Sequence, residues 1–512
     1  MSEKRKNILF LFTDQFRADC IGALGNSQIK TPNLDRLVRS GTAFTRCYTP
    51  SPVCVAARHA LTCGVSPHQT GCVDNVDIEC HRTSFMDELN MLEYQTHGVG
   101  KMHFVEGKGD WGFQSRDVSE ELVYPGVRDD YRDYLAKNGF EHVLDPHGLR
   151  SEYYYLPQPS QLPDRHHNTT WVADRSIDFL RNRDRDRPFF LWSSFIKPHP
   201  PFETPIPWSR IYSMHEMDEP YLPDGYEEQQ SLWNRVQNRY KYRDGGYDRH
   251  ISRMIRAAYY ATISHVDFHL GRILDALGDE IENTLVVFSS DHGEMLGDFG
   301  CYGKRCMLDA SARIPMLASL PGVIPEGEIC DRAVSLLDLY PTFIDTADPL
   351  MSKTNLEGTS LVSTLEDNEA ERVVFSQFSQ NGLGLYLAAD SKWKYVYSAA
   401  DEKEWLYRGS EEEINLAADP AFSGELIRLR ESLFERFKGD GYDAPWDGEG
   451  WRQFPKWEMP AAKDYGLLRQ DPPELQQEIA ALGVYERPRP DTANILKELA
   501  DFSTQSGVRN PR

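Results

Sequence analysis

The sequence has no long apolar run. The hydrophobic stretch near its N-terminus, Ile8 to Phe12, is interrupted at once by Thr13 and Asp14, too short for a signal-peptide core or a membrane span. Its absence predicts no membrane partner and makes the cytoplasm the expected compartment. Basic residues are scarce: 56 Lys and Arg against 79 Asp and Glu leave a formal net charge of −23. Phosphate neutralisation dominates non-specific nucleic-acid binding, so DNA, RNA and anionic lipid are excluded as expected partners. An anionic substrate requires a local basic pocket. The nine cysteines include no CxxC pair and no zinc-finger spacing. Six of them (Cys20, Cys47, Cys54, Cys63, Cys72, Cys80) fall in the first 80 residues; without an export signal they read mainly as buried packing thiols and not as a disulfide framework. No internal repeat and no low-complexity tract is found.

What is present is a 512-residue chain, 40% apolar and 26% charged, a globular composition with length for two to three domains and a large core. Short β-rich runs alternate with helical patterns, which predicts an α/β fold with a largely parallel sheet. Asn7 to Thr13, Arg187 to Ile196 and Thr284 to Ser290 are nearly continuous apolar runs, as strands covered on both faces are. Pro32 to Ser40 and Met254 to Leu277 read as helices. The polar stretch Glu203 to His250 reads as an insertion over the sheet's edge, facing substrate. After an acidic linker, the runs Val373–Phe378, Leu385–Ala389, Trp393–Ser398 and Trp405–Arg408 predict a small antiparallel sheet, followed by a helix from Phe422 to Lys438. The expected organisation is a catalytic domain over 1–370, a small α+β domain over 371–440, and a Trp- and Pro-rich extension over 441–512 able to pack against a second subunit.

Two of the apolar strands run into carboxylates. Ile8 to Phe12 leads to Asp14 and Gln15, and Leu285 to Phe288 leads to Asp291 and His292. In open α/β sheets ligands bind beyond the carboxyl ends of the strands, so Asp14 and Asp291 meet at one rim if their strands are neighbours. Two carboxylates brought together repel unless one is protonated or a cation lies between them. A divalent metal resolves the conflict, with Gln15 and His292 completing its shell. Cys54 follows Pro50 and Pro52 and precedes two alanines, a place for a thiol at a helix N-terminus, and Arg58 lies one turn on.

The segment CVAAR resembles the Cys-x-Pro/Ala-x-Arg signature of the type I sulfatases, members of the alkaline phosphatase superfamily. The strings TDQ, TPNLDRL, GKMHF, KPHPPF, SDHGEMLGD, YGK, SARIPM and NLAADP occur in the order that family shows. The DQ and DH forms, with GKMH between them, look most like the choline sulfatase and phosphonate monoester hydrolase branch. The resemblance implies an alkaline phosphatase-like fold, a large mixed and mostly parallel sheet sandwiched by helices. It also implies oxidation of Cys54 to formylglycine. One hydroxyl of the hydrated aldehyde then attacks sulfur and the other expels sulfate by re-forming the aldehyde.

By the same resemblance, Asp14, Gln15, Asp291, His292 and the modified Cys54 hold one divalent ion. Hard oxygen donors favour Ca²⁺, and the imidazole leaves Mn²⁺ open. Arg58 orients the nucleophile; Lys101, His103 and Lys304 bind sulfuryl oxygens or assist the nucleophile; His199 protonates the leaving alcohol; Asn75 contacts the sulfuryl group. Ala56 stands where proline is commonest in the signature; the aerobic formylglycine-generating enzyme prefers proline there, and the anaerobic sulfatase-maturing enzyme accepts alanine. The implied function is hydrolysis of a small-molecule or saccharide sulfate monoester. Phosphonate monoester or phosphodiester hydrolysis is the alternative, and a non-catalytic anion binder with intact Cys54 a third reading. His265 and His269, four residues apart without the glutamate of HExxH, read as an ordinary helix face.

Overall fold

Alternation within the first strand sets the architecture. In β1 (Asn7–Asp14) the side chains of Ile8, Phe10 and Phe12 join one apolar cluster and those of Leu9 and Leu11 another, because successive strand residues point to opposite faces. Both faces must therefore be covered. The computed structural model describes residues 5–456 except 77, 79–80, 105–110, 123–126, 151–153, 242–248, 352–354 and 368–370.

The remaining strands of the large sheet are β2 (Thr42–Tyr48), β3 (Gln95–Gly100), β4 (Ser115–Val118), β5 (Phe189–Pro198), β6 (Thr284–Ser290), β7 (Arg313–Ile314), β8 (Met316–Ser319) and β9 (Glu328–Ser335). Their spatial order is β9-β2-β8-β6-β1-β5-β3-β4, with β7 paired to β2. Only β8 and β7 run against their neighbours, so the sheet is mixed and mostly parallel. Helices α1 (Pro32–Arg39), α2 (Cys54–Cys63), α3 (Asn168–Asn182), α4 (Arg249–Leu277) and α5 (Leu339–Ala347) flank it. Leu34, Ile177 and Ile263, from α1, α3 and α4, lie in one cluster; Leu61 and Phe343, from α2 and α5, lie in the other. Among the described residues no helix is long and apolar enough to cross a membrane.

A second sheet is antiparallel, in the order β10 (Val374–Phe378), β11 (Leu385–Ala389), β12 (Trp393–Ser398) and β13 (Lys403–Arg408). Helix α6 (Ser423–Asp440) packs Leu429, Leu433 and Phe437 against it. Trp451 stacks on Tyr397 with centroids 3.8 Å apart, closing this small core with its own chain. The rest of the extension, from 457 on and including Trp457, lies outside the described residues.

Two expectations need correction. Among the described residues, the segment after Glu203 packs on the long helix and the small sheet and not over the edge of the large sheet. Trp208 stacks on His265 of α4, and Trp233 meets Phe378 of β10 and donates to Leu383 O at 2.9 Å. Its aromatic rings supply the apolar area that carries it across the long helix to the small sheet. Second, although Cys20, Cys47, Cys54, Cys72, Cys301, Cys306 and Cys330 are buried free thiols, Cys63 is disulfide-bonded. Cys80 lies outside the described residues.

Candidate active site

Strand register gathers the site. β1 lies between β5 and β6, with Thr13 opposite Ser290 and Asp14 opposite Pro198. Asp14, Asp291 and His199 therefore leave the same rim from three adjacent strands, and Lys101 follows β3, the next strand out. Cys54 is the first helical residue of α2, preceded by extended Val53. Gln15 turns out of β1 with φ +68°, a left-handed conformation costly for a side chain with a Cβ. Its amide is then held at both ends: Nε2 donates to Glu294 and Oε1 accepts from Lys304 Nζ at 3.0 Å.

Acceptor atoms converge on Cys54. His292 Nδ1 donates to Gly293 O at 3.0 Å, which leaves the Nε2 lone pair facing inward. That nitrogen is 3.2 Å from Cys54 Sγ, 3.6 Å from Asp14 Oδ1 and 3.5 Å from Asp291 Oδ1. Burial lowers the His292 pKa to about 4, so the imidazole is neutral at neutral pH and carries no proton on Nε2. Two carboxylates and an unprotonated imidazole aimed at one point fit a divalent cation, and the donor set suits Ca²⁺ or Mn²⁺.

Cations surround this point. Arg58 donates through Nε to Asp291 Oδ2 at 2.8 Å, and through Nη1 to Lys101 O at 2.6 Å and Ser194 Oγ at 3.0 Å, so it ties α2 to β6, β3 and β5. Lys304 Nζ lies 2.8 Å from Cys54 Sγ. Lys101 Nζ donates to Asp14 and Glu121. Burial and the Asp291 charge push the Asp14 carboxyl up, but Lys101, His199 and Lys304 outweigh them and hold it at about 2. Burial, then the Asp14 charge, pushes the Cys54 thiol up to about 12. An unmodified thiol at this place is protonated at neutral pH and a poor nucleophile.

Asp14, Gln15, Cys54, Arg58, Lys101, His103, His199, Asp291, His292 and Lys304 are thus brought together. His199 Nδ1 donates to Pro200 O at 2.6 Å and its Nε2 faces Glu121 Oε1 at 3.6 Å. His103 Nε2 lies 3.7 Å from Glu121 Oε2. Asn75 stands apart from this group: it is exposed, and its Oδ1 accepts from Val55 N at 3.1 Å, capping α2 beside Cys54. His265 and His269 meet Asp164. Arg272 donates to His269 Nδ1 at 3.0 Å, which leaves the proton on Nε2 and makes that nitrogen a donor rather than a metal ligand.

Two site residues escaped the sequence reading. Glu294 lies within the quoted string SDHGEMLGD, yet nothing in its spacing distinguished it; in the fold it orients Gln15 and accepts from Gly303 N at 2.6 Å. Glu121 follows Glu120 in a stretch where no sequence signal marks it. Its side chain is only 5% exposed.

The model of the family described as Sulfatase matches residues 6–349. The arylsulfatase of Clostridium perfringens is 30% identical over 450 residues, spanning 83% of this chain and 91% of that protein. The chain belongs to the sulfatase family. The choline-sulfatase of Rhizobium meliloti is 28% identical to this sulfatase over 450 residues, 84% of each chain. The solved phosphonate monoester hydrolase of Agrobacterium radiobacter superposes with a TM-score of 0.72 at 24% identity, covering 85% of this chain and 96% of that one, a likeness of fold. As a sulfatase, the protein hydrolyses sulfuric esters.

Proposed function

We propose that this sulfatase cleaves a sulfate monoester with an oxidised Cys54 as nucleophile, Asp14, Gln15, Asp291 and His292 holding one divalent ion, most simply Ca²⁺. The observation that carries the reading is the position of Cys54 Sγ, in reach of both Lys304 Nζ at 2.8 Å and His292 Nε2 at 3.2 Å. A bound divalent cation supplies charge neutralisation and lowers the pKa of a coordinated hydroxyl. Every other task falls to side chains. Lys304 holds its protons against the nucleophile, and Arg58, anchored on Asp291, keeps the first turn of α2 in register with the strand ends. Lys101 and His103 receive sulfuryl oxygens. His199 presents Nε2 to the departing alcohol oxygen, with its other nitrogen committed to the backbone. Asn75 acts on the sulfuryl group through the helix end that it caps. A formylglycine-generating or sulfatase-maturing enzyme supplies the modification, the cytoplasm is the proposed compartment, and the 1–370, 371–440 and 441–512 divisions, with self-association through the last, complete the proposal.

The pair Lys101 and His103 favours a sulfate ester over a phosphonate monoester. Parallel kcat/KM measurements on the Ca²⁺-loaded enzyme, with mass spectrometry of the Cys54 peptide, test the reading. We expect formylglycine at position 54, a ratio favouring the sulfate ester, and loss of turnover in Cys54→Ala. A ratio strongly favouring the phosphonate replaces the reading by the hydrolase alternative. An intact thiol in a protein that binds sulfate esters without turnover makes it an anion binder.

A further inference from the structure

An anion belonging to the protein stands among the groups that receive the substrate's anion. Glu121 Oε2 accepts from Lys101 Nζ and lies 3.7 Å from His103 Nε2; Oε1 accepts from Arg150 Nη2 and lies 3.6 Å from His199 Nε2. An oxygen of this carboxylate is also within 4.8 Å of Cys54 Sγ and of a carboxylate oxygen of Asp14. Burial opposes its charge, and Arg150, His199, Lys101 and His103 together keep the carboxyl well below its ordinary range. Lys101 divides one positive charge between two carboxylates, Asp14 and Glu121. Its net pull on a further anion is correspondingly small.

The consequence depends on the ligand's charge. Coulomb repulsion scales with the product of charges and is weakly screened in a buried site. A monoanion meets the Glu121 repulsion once, and a dianion meets it twice. A sulfate monoester carries one negative charge; a phosphate monoester at neutral pH and the product, inorganic sulfate, each carry two. We propose that Glu121 is the charge-selecting residue of this pocket: its carboxylate admits a monoanionic oxyanion and disfavours a dianion, so it rejects phosphate monoesters and helps release sulfate. Arg150, paired with Glu121 and bonded to Tyr154 Oη at 3.0 Å, tempers that repulsion. The proposal rests on the sulfatase reading of the pocket.

Calorimetric titration with two ligands that are not turned over separates the effects. Methanesulfonate is the monoanion and inorganic sulfate the dianion, each titrated into Ca²⁺-loaded wild type, Glu121→Gln and Arg150→Met at pH 7.5. Glu121→Gln is expected to shift the ratio of the two dissociation constants toward sulfate by about tenfold or more. Arg150→Met is expected to shift it the other way. A merely structural role for Glu121 weakens both anions alike and leaves the ratio in place. A ratio within about twofold of wild type in Glu121→Gln, shifts of the same sign in the two variants, or no binding of either anion by wild type overturns the proposal. Should Glu121→Gln not fold, the sign of the Arg150→Met shift decides. Binding is read without turnover, so ester hydrolysis with an unmoved ratio removes the Glu121 role alone, whereas a moved ratio without hydrolysis removes only the sulfatase reading.

Discussion

A histidine with one nitrogen committed to a backbone carbonyl has one left for chemistry, and in His199 that nitrogen points into the pocket. Burial, the largest influence on it, holds the imidazole well below its ordinary pKa. A general acid works as the imidazolium, so the activity that depends on His199 is present at low pH and is lost as pH rises through its pKa. Removing a general acid hurts poor leaving groups most. His199→Gln is therefore expected to slow hydrolysis of an alkyl sulfate by about 10²- to 10⁴-fold, and that of a sulfate ester of an acidic phenol far less. The plot of log kcat against leaving-group pKa steepens in the variant and the high-pH limb of the wild-type profile disappears. An equal loss for all leaving groups would make His199 a positioning residue.

Among the elements, the pairing of the end of β3 with β5 matters most to the site. Gly100 closes β3 with φ +88°, and a Cβ there would meet Ser194 O at 2.1 Å. Ser194 O accepts from Lys101 N at 3.1 Å and its Oγ from Arg58, so one glycine lets two cations share an anchor. Gly100→Ala combines a left-handed conformation with a backbone clash. It is expected to cost about 2 kcal/mol or more in urea unfolding at unchanged m, together with a large fall in kcat/KM from displaced Lys101. A cost below about 0.5 kcal/mol would mean that the two strands part there without penalty. The central strands were readable because burial on both faces leaves unbroken apolar runs. β3, with the sequence QTHGVG, and the four-residue β8 were not read as strands, because short segments with polar and glycine residues carry no such pattern.

At the scale of the whole molecule, the small sheet braces the active site through buried charge. Lys394 Nζ, on β12, donates to Asp309 Oδ1 at 2.6 Å and also to Glu412. Asp309 opens the turn whose Ser311 O accepts from Gly293 N at 2.8 Å, next to His292. Lys394→Met would leave Glu412 buried without its cation and Asp309 with Arg313 alone, whose Nε donates to Oδ2 at 2.9 Å. The expected cost is about 3 to 5 kcal/mol, read as a lower unfolding midpoint, and turnover falls with it because the Gly293 turn loosens. A midpoint unchanged by the substitution would show that the small sheet docks by apolar contact alone.

The chain's own order of residues determined the α/β plan, the small antiparallel sheet and the strand-end groups Asp14, Gln15, Asp291 and His292, because apolar periodicity and strand-end chemistry are local properties; Lys101, His103, His199 and Lys304 were recognisable through the ordered motifs of the family resemblance. Register decided the rest. Asp14 and Asp291 are 277 positions apart, and only the parallel pairing of β1 with β6 sets them at one rim. Glu121 and Glu294 became recognisable only in three dimensions, since a carboxylate's role depends on the charges around it and those come from distant strands. The path of the segment after Glu203 likewise followed from where aromatic surface was available to cover, a quantity that exists only once the long helix and the small sheet have packed.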